Sequence, residues 1–167
     1  MPDTVNGLPL HPLVVHAVVV LLPLAAIGVA ALAIRPSWRG RYGWLVVLIT
    51  ALATVAVPVA SSTGEGLEHR VGDPGVHAQL GDTLIWFALP LLVASIALVW
   101  LHRRAARPAG EKSATRRTSA PVAVVIAVLA VVVAAANLVQ VYRVGDSGAK
   151  AVWGNAPAAS AGRGEDD

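Results

Sequence analysis

Histidine and carboxylate side chains are the groups in this 167-residue sequence that are best suited to chemistry. The chain has five histidines and no cysteine, which excludes thiolate nucleophiles, iron–sulfur clusters and cysteine-ligated metals. Imidazole and carboxylate groups can hold several divalent metals, and two imidazoles can hold haem. The candidate ligands of such a site are His16, His77, Glu65, His11 and Asp82.

His16 stands out by its position, because it lies about one turn inside an otherwise apolar segment. An ionisable group at membrane depth costs free energy and often has a function. Alternatively, His16 is neutral, lies near the interface and forms a hydrogen bond to a neighbouring helix, and the sequence does not separate the two readings. His11 lies five residues earlier, about 140° around a helix, so the two imidazoles do not share a helix face.

A haem site would need two imidazoles on facing helices at matched depth. His77 lies five residues before Asp82, up to about 7.5 Å further out if helical, so its depth does not match that of His16. Haem b and a divalent metal therefore both stay open as cofactors, with haem the weaker of the two signals. Asn137 and Gln140 form a polar pair that favours interhelical hydrogen bonds over an ion path, since no carboxylate accompanies it at the membrane midplane.

The chain is 56% apolar and only 14% charged. It contains four stretches without Asp, Glu, Lys or Arg, and these must form the elements that position the candidate ligands. The stretches are residues 4–34, 42–64, 83–102 and 118–142. Each is long enough to cross a bilayer core of about 30 Å as a helix of roughly 20 residues. Without water in that core each segment must satisfy its own backbone groups, which favours helices over strands. The sequence therefore predicts an all-α, integral membrane four-helix transmembrane bundle, and it excludes a soluble enzyme, a disordered chain and a nucleic-acid-binding domain.

The predicted transmembrane domain covers residues 6–154. Its helices are expected at about 12–35, 42–60, 82–102 and 121–143, with a possible helical extension from residue 74 where a cap precedes a proline. Ser61-Ser62-Thr63-Gly64 is expected to end the second helix, and Gly145 the fourth. Residues 155–167 contain Ala, Gly and acidic residues without periodicity, which predicts a disordered tail. The pattern contains no internal repeat.

The distribution of basic residues predicts the orientation in the membrane. The loops at 35–41 and 103–117 carry nine of the 13 Lys and Arg residues. Because basic residues collect in cytoplasmic loops, both loops are expected in the cytoplasm and both termini outside the cell membrane. The candidate ligands then all lie on the outer side, where a helical bundle can bring them together.

Several segments of the chain resemble the bacterial membrane family DUF2231, in particular its actinobacterial members. They are Leu8-Pro9-Leu10-His11-Pro12-Leu13-Val14-Val15-His16, Ser62-Thr63-Gly64-Glu65, His77 with the following Gly81-Asp82, and Gly145-Asp146-Ser147-Gly148-Ala149-Lys150-Ala151-Val152-Trp153-Gly154. The resemblance covers nearly the whole chain and implies a multi-pass protein of the bacterial inner membrane with four helices. It implies no established activity.

Two functions follow from these residues. The first is a binding or structural membrane module without catalytic activity, whose outer polar residues cap and tie the helices. The second is a metal- or haem-binding protein with a redox or metal-handling role at the outer face. The expected partners are the lipid bilayer and other membrane proteins, and no nucleic acid.

Overall fold

The computed structural model describes residues 4–5, 8–71, 75–106 and 113–154 of the chain, and the side chains of residues 10–66, 75–106 and 120–154. The predicted start of a helical extension at residue 74 and the predicted tail at 155–167 lie outside the described residues.

Long helices account for almost all of the described chain. They are α1 (Leu10–Ile34), α2 (Arg39–Val71), α3 (Val76–Thr83), α4 (Ile85–Ala105) and α5 (Ser113–Trp153). A 3₁₀ turn at Pro36–Trp38 joins α1 to α2, and α3 meets α4 at Leu84, where the two form one arm of the bundle. Before α1, the two-residue strands β1 (Thr4–Val5) and β2 (Leu8–Pro9) pair antiparallel.

Four helical segments among the described residues are long and apolar enough to cross a membrane. They are Leu10–Ile34, Pro36–Gly66, Val76–Ala105 and Ala120–Trp153, with mean hydropathies of 2.8, 2.2, 2.5 and 2.9. The predicted all-α class and the four-helix transmembrane bundle are therefore confirmed.

The second and fourth membrane helices continue well beyond the residues expected to end them. The helix α2 passes through Ser61–Gly64 to Val71, and α5 passes through Gly145 to Trp153. Hydroxyl groups in this part of α2 donate to carbonyls of the preceding turn, as in the 2.9 Å bond from Thr63 to Val59. Serine and threonine are compatible with a helix when their hydroxyl groups bond to a carbonyl of the preceding turn. Contacts from other helices, described below, also hold these turns in place.

The helices pack in the cyclic order α1, α2, α4, α5, so that α1 and α4 lie diagonally across the bundle. Alanine, leucine and valine form the centre. The largest buried apolar side chains are Leu22, Leu32, Leu91, Leu98 and Val29, and many large apolar side chains on the outer helix faces are exposed, as a lipid-facing surface requires. We call the end of the bundle at which α1 begins the His end, and the opposite end, at which α2 begins, the Arg end.

Arginine side chains are concentrated at the Arg end, and several of them lie over aromatic rings. Arg39 is buried, and its guanidinium donates to the carbonyls of Leu32 (2.8 Å) and Ala33 (3.2 Å) in the last turn of α1. It thereby supplies donors and positive charge where a helix leaves carbonyls unpaired. Other arginines lie over aromatic rings, with Arg103 4.9 Å from the centre of Trp44 and Arg104 4.2 Å from that of Trp100. Stacked Arg–Trp pairs of this kind are typical of a membrane boundary.

Candidate functional site

A cavity of about 530 Å³ opens at the His end of the bundle, between α1, α2, α3 and α5. Four of the five candidate ligands line it, namely His11, Glu65, His77 and Asp82. They come from three different helices, which the up-and-down order of the bundle brings to the same end. The first turn of α1 and the last turn of α5 both border this cavity, so the first and the last helix of the bundle come together here.

His11 lies in the first turn of α1 and packs against α2. Its Nδ1 is 3.1 Å from the carbonyl oxygen of Ala60 and 3.3 Å from Oγ1 of Thr63. The ring lies directly against Gly64, where an added Cβ would be 3.0 Å from Cε1 of the imidazole. Glycine at this position therefore makes room for the ring.

His77 has the same arrangement on the other side of the cavity. It lies in the first turn of α3, and its Nδ1 is 3.1 Å from the carbonyl oxygen of Val144 and 3.3 Å from Oγ of Ser147, both in α5. Gly148 lies beneath the ring, where an added Cβ would be 3.0 Å from Cε1 and 3.1 Å from Nδ1.

The two imidazole contacts are related by an approximate two-fold repetition. In each half of the chain a histidine at the start of one helix bonds to a carbonyl and a hydroxyl near the end of a later helix, α2 or α5, and packs against a glycine there. The hydroxyl–glycine pair is Thr63-Gly64 in the first half and Ser147-Gly148 in the second. The sequence contains no internal repeat that would indicate this repeated contact.

The hydrogen bonds of His11 and His77 indicate which ring nitrogen is the donor to the neighbouring helix. A carbonyl oxygen only accepts hydrogen bonds, so Nδ1 must be the donor to Ala60 in one case and to Val144 in the other. A neutral imidazole with a proton on Nδ1 has a free lone pair on Nε2. Histidines that bind metals have this arrangement, in which one nitrogen donates to a carbonyl and the other coordinates.

The carboxylates of the cavity lie at its rim, whereas the two imidazoles lie deeper. Glu65 and Asp82 are exposed, and His11 and His77 are half-buried. Below the imidazoles the wall is largely apolar and includes Val15, Val18, Val57, Leu84, Val141 and Val144. Within the described residues, no three His, Asp or Glu side chains are close enough to hold one metal ion together.

His16, the candidate that stood out by position in the sequence, lies away from this cavity. It is exposed, and its Nδ1 is 2.6 Å from the carbonyl oxygen of Pro12 in its own helix. The ring is therefore tied to the preceding turn of its own helix.

The buried polar pair in α5 ties this helix to the α3–α4 arm. Nδ2 of Asn137 donates to the carbonyl of Phe87 at 2.6 Å, and Nε2 of Gln140 donates to Oγ1 of Thr83 at 2.8 Å. Both side chains are almost fully buried. These contacts are the interhelical hydrogen bonds that the sequence favoured over an ion path. One atom, Oδ1 of Asn137, is buried without a partner within the described residues.

The geometry of a multi-pass bundle agrees with the comparison to protein families. The family model described as a predicted membrane protein, DUF2231, matches residues 7–159. The chain belongs to the DUF2231 family. This confirms the resemblance noted in the sequence, and the match takes in every described residue that lines the cavity. The comparisons with curated proteins and with solved structures gave no match.

In the sequence, His11 belongs to the outer candidates, but His16 is the histidine that stands out, because it lies further inside the apolar segment. Position along a helix does not indicate which way a side chain faces. A better signal was available in the hydroxyl–glycine pairs Thr63-Gly64 and Ser147-Gly148, each late in a membrane helix. Each pair allows a histidine ring to lie against a helix backbone.

Proposed function

We propose that this DUF2231 protein is a ligand-binding module of the cell membrane, and that it holds a metal centre between His11 and His77. The observation that carries the proposal is the pair of half-buried imidazoles on one cavity, each with Nδ1 bonded to a main-chain carbonyl. Nε2 of each ring is then the potential ligand atom, and both rings border the same space. The proposal assigns no catalytic activity to the chain.

Rigid support of both rings favours a ligand role over a purely structural one. A histidine that only ties two helices together needs a single hydrogen bond, and it needs no cavity in front of it. Here each ring rests on a glycine, bonds through Nδ1 and borders a space of about 530 Å³. Ligands that are held in this way lose little freedom on binding, which is what a metal site requires.

The proposed orientation places the cavity on the outer side of the membrane. The Arg end carries the arginines of the 35–41 loop and of the last turn of α4, and basic residues collect on the cytoplasmic side. The His end, with Glu65 and Asp82 at its rim, then faces the exterior. A centre bound there would be accessible to extracytoplasmic partners.

Metal analysis of the full-length protein tests the proposal. The chain would be expressed in a bacterial membrane, purified in mild detergent and analysed for iron, copper, zinc and manganese per polypeptide. We expect a stoichiometric metal in the wild type and its loss in His11→Ala and in His77→Ala. The matched control is His16→Ala, which removes an imidazole of the same helix that does not border the cavity and should keep the metal.

Two results would overturn the metal-centre function. One is a wild-type protein with only trace metal, and the other is a metal content that His11→Ala and His77→Ala leave unchanged. In either case the two imidazoles would act as ties between helices, and both substitutions would then lower only the thermal stability. Size-exclusion profiles of all variants would show that each one is folded.

A further inference from the structure

We propose that the metal centre is a non-covalently bound haem, with His11 and His77 as the two axial ligands of its iron. This inference rests on the proposed function, because it names the centre that the imidazole pair would hold. It follows from the number of ligands, the size and lining of the cavity, and the position of the two rings.

The number of deep ligands fits an iron porphyrin better than a bare ion. Structural zinc takes four protein ligands, and calcium takes six or more oxygens. The half-buried nitrogen ligands of this cavity are the two imidazoles, while Glu65 and Asp82 are exposed at the rim. Haem iron already has four porphyrin nitrogens and needs two axial ligands from the protein.

The cavity is also much larger than an ion requires. Its volume of about 530 Å³ exceeds many times the roughly 30 Å³ that one water molecule occupies. It falls in the range of about 300–1,000 Å³ that is usual for organic ligands and cofactors. The valine and leucine side chains in its wall match the apolar faces of a porphyrin, whereas they offer nothing to a hydrated cation.

The two rings occupy equivalent positions on opposite sides of this space. Each lies in the first turn of its helix at the His end, and each is supported from behind by a different helix, α2 or α5. Each is the second residue of its helix, whereas His16 lies five residues further along α1 than His11. Because the chain has no cysteine, thioether attachment is excluded and the haem would be of the b type.

Absorption spectra of the full-length protein in mild detergent test this inference. Hemin would be added to protein that was purified without haem, and the product would be reduced with dithionite. We expect one haem per chain with a low-spin, six-coordinate spectrum. His11→Ala and His77→Ala should each abolish the low-spin spectrum and weaken hemin binding by about 10-fold or more, and His16→Ala should change neither.

A conservative variant covers the event that an alanine variant does not fold. Methionine at one axial position keeps a ligand for iron and raises the reduction potential relative to bis-histidine ligation. His77→Met should therefore still bind haem, with an altered spectrum and a higher potential. A haem spectrum and potential that are the same in His77→Met and in the wild type would overturn the axial assignment.

The remaining outcomes separate this inference from the function on which it rests. Stoichiometric metal without any Soret band, lost in both alanine variants, would overturn the haem but leave an imidazole-ligated metal centre. Haem binding that is equal in the wild type and in both alanine variants would overturn the assignment of the ligands. Wild-type protein with neither metal nor affinity for hemin would overturn both proposals.

Discussion

The glycine beneath His77 allows a test of the site that leaves both imidazoles in place. In Gly148→Ala the new Cβ would lie 3.0 Å from Cε1 and 3.1 Å from Nδ1 of the ring, against 3.4–4 Å for an ordinary contact. The ring must therefore move by about 0.4 Å. If it moves along the hydrogen bond, the distance from Nδ1 to the carbonyl oxygen of Val144 lengthens from 3.1 Å to about 3.5 Å, the limit of a useful bond.

The matched control lies one turn earlier on the same helix. An added Cβ at Gly145 meets nothing within 4 Å. Gly145→Ala should therefore raise the free energy of unfolding by about 0.8–1 kcal/mol, the usual gain when alanine replaces glycine within a helix. In Gly148→Ala the same gain is offset by the weakened hydrogen bond, which contributes about 0.5–1.5 kcal/mol. We expect the control to be the more stable variant by about that amount.

Thermal unfolding in detergent and ligand titration measure the two effects. Loss of support for a ligating histidine lowers metal affinity by about 10–100-fold, so Gly148→Ala should weaken binding of the metal centre and Gly145→Ala should not. The same comparison applies on the other side of the cavity to Gly64→Ala and to Gly66→Ala, since an added Cβ at Gly66 also meets nothing within 4 Å. Equal stability and equal affinity of Gly148→Ala and Gly145→Ala would refute the reasoning.

Three further predictions concern the bundle that positions the site. Arg39→Gln should lower the free energy of unfolding by about 1.5–3 kcal/mol, because it removes charged donors from buried carbonyls, while exposed Arg41→Gln should change it little; denaturation in mixed micelles compares the two. Gln140→Leu should destabilise the bundle by about 0.6–2 kcal/mol in the same assay, and no change would remove its role as a tie between helices. In this cysteine-free chain, Ser37→Cys should react with an impermeant maleimide only after cells are opened, and Val152→Cys should react in intact cells; the reverse pattern would contradict the orientation.

The membrane segments could be predicted from the sequence because lipid leaves few alternatives. A charge-free run of 20 or more apolar residues has to satisfy its backbone internally, and the four runs match the four spans of the structure. The ends of the helices could not be predicted in the same way. Ser61–Gly64 and Gly145 are local stop signals, yet α2 and α5 continue through them. His11 packs against Thr63 and Gly64 in α2, and His77 packs against Ser147 and Gly148 in α5.

The sequence predicted which residues lie at one end of the bundle, but not that His11 and His77 are the two imidazoles that border one cavity. The charge pattern placed His11, His77, Glu65 and Asp82 on one side of the membrane, and the structure brings them to one cavity. Direction around α1 could not be predicted, because apolar residues surround that helix on every side and mark no inward face. The packing that turns His11 toward the bundle and leaves His16 exposed depends on contacts with α2, which no local pattern contains.

Nitrogen-15 NMR of protein labelled at its histidines tests the imidazole pair most directly. Each ring would be assigned by its absence in the corresponding alanine variant, with His16 as the reference outside the cavity. We predict that the resonances of His11 and His77 correspond to rings protonated on Nδ1 and bare on Nε2, and that both Nε2 resonances shift when the metal centre binds. Rings protonated on Nε2, or Nε2 resonances that do not respond to the ligand, would contradict the account.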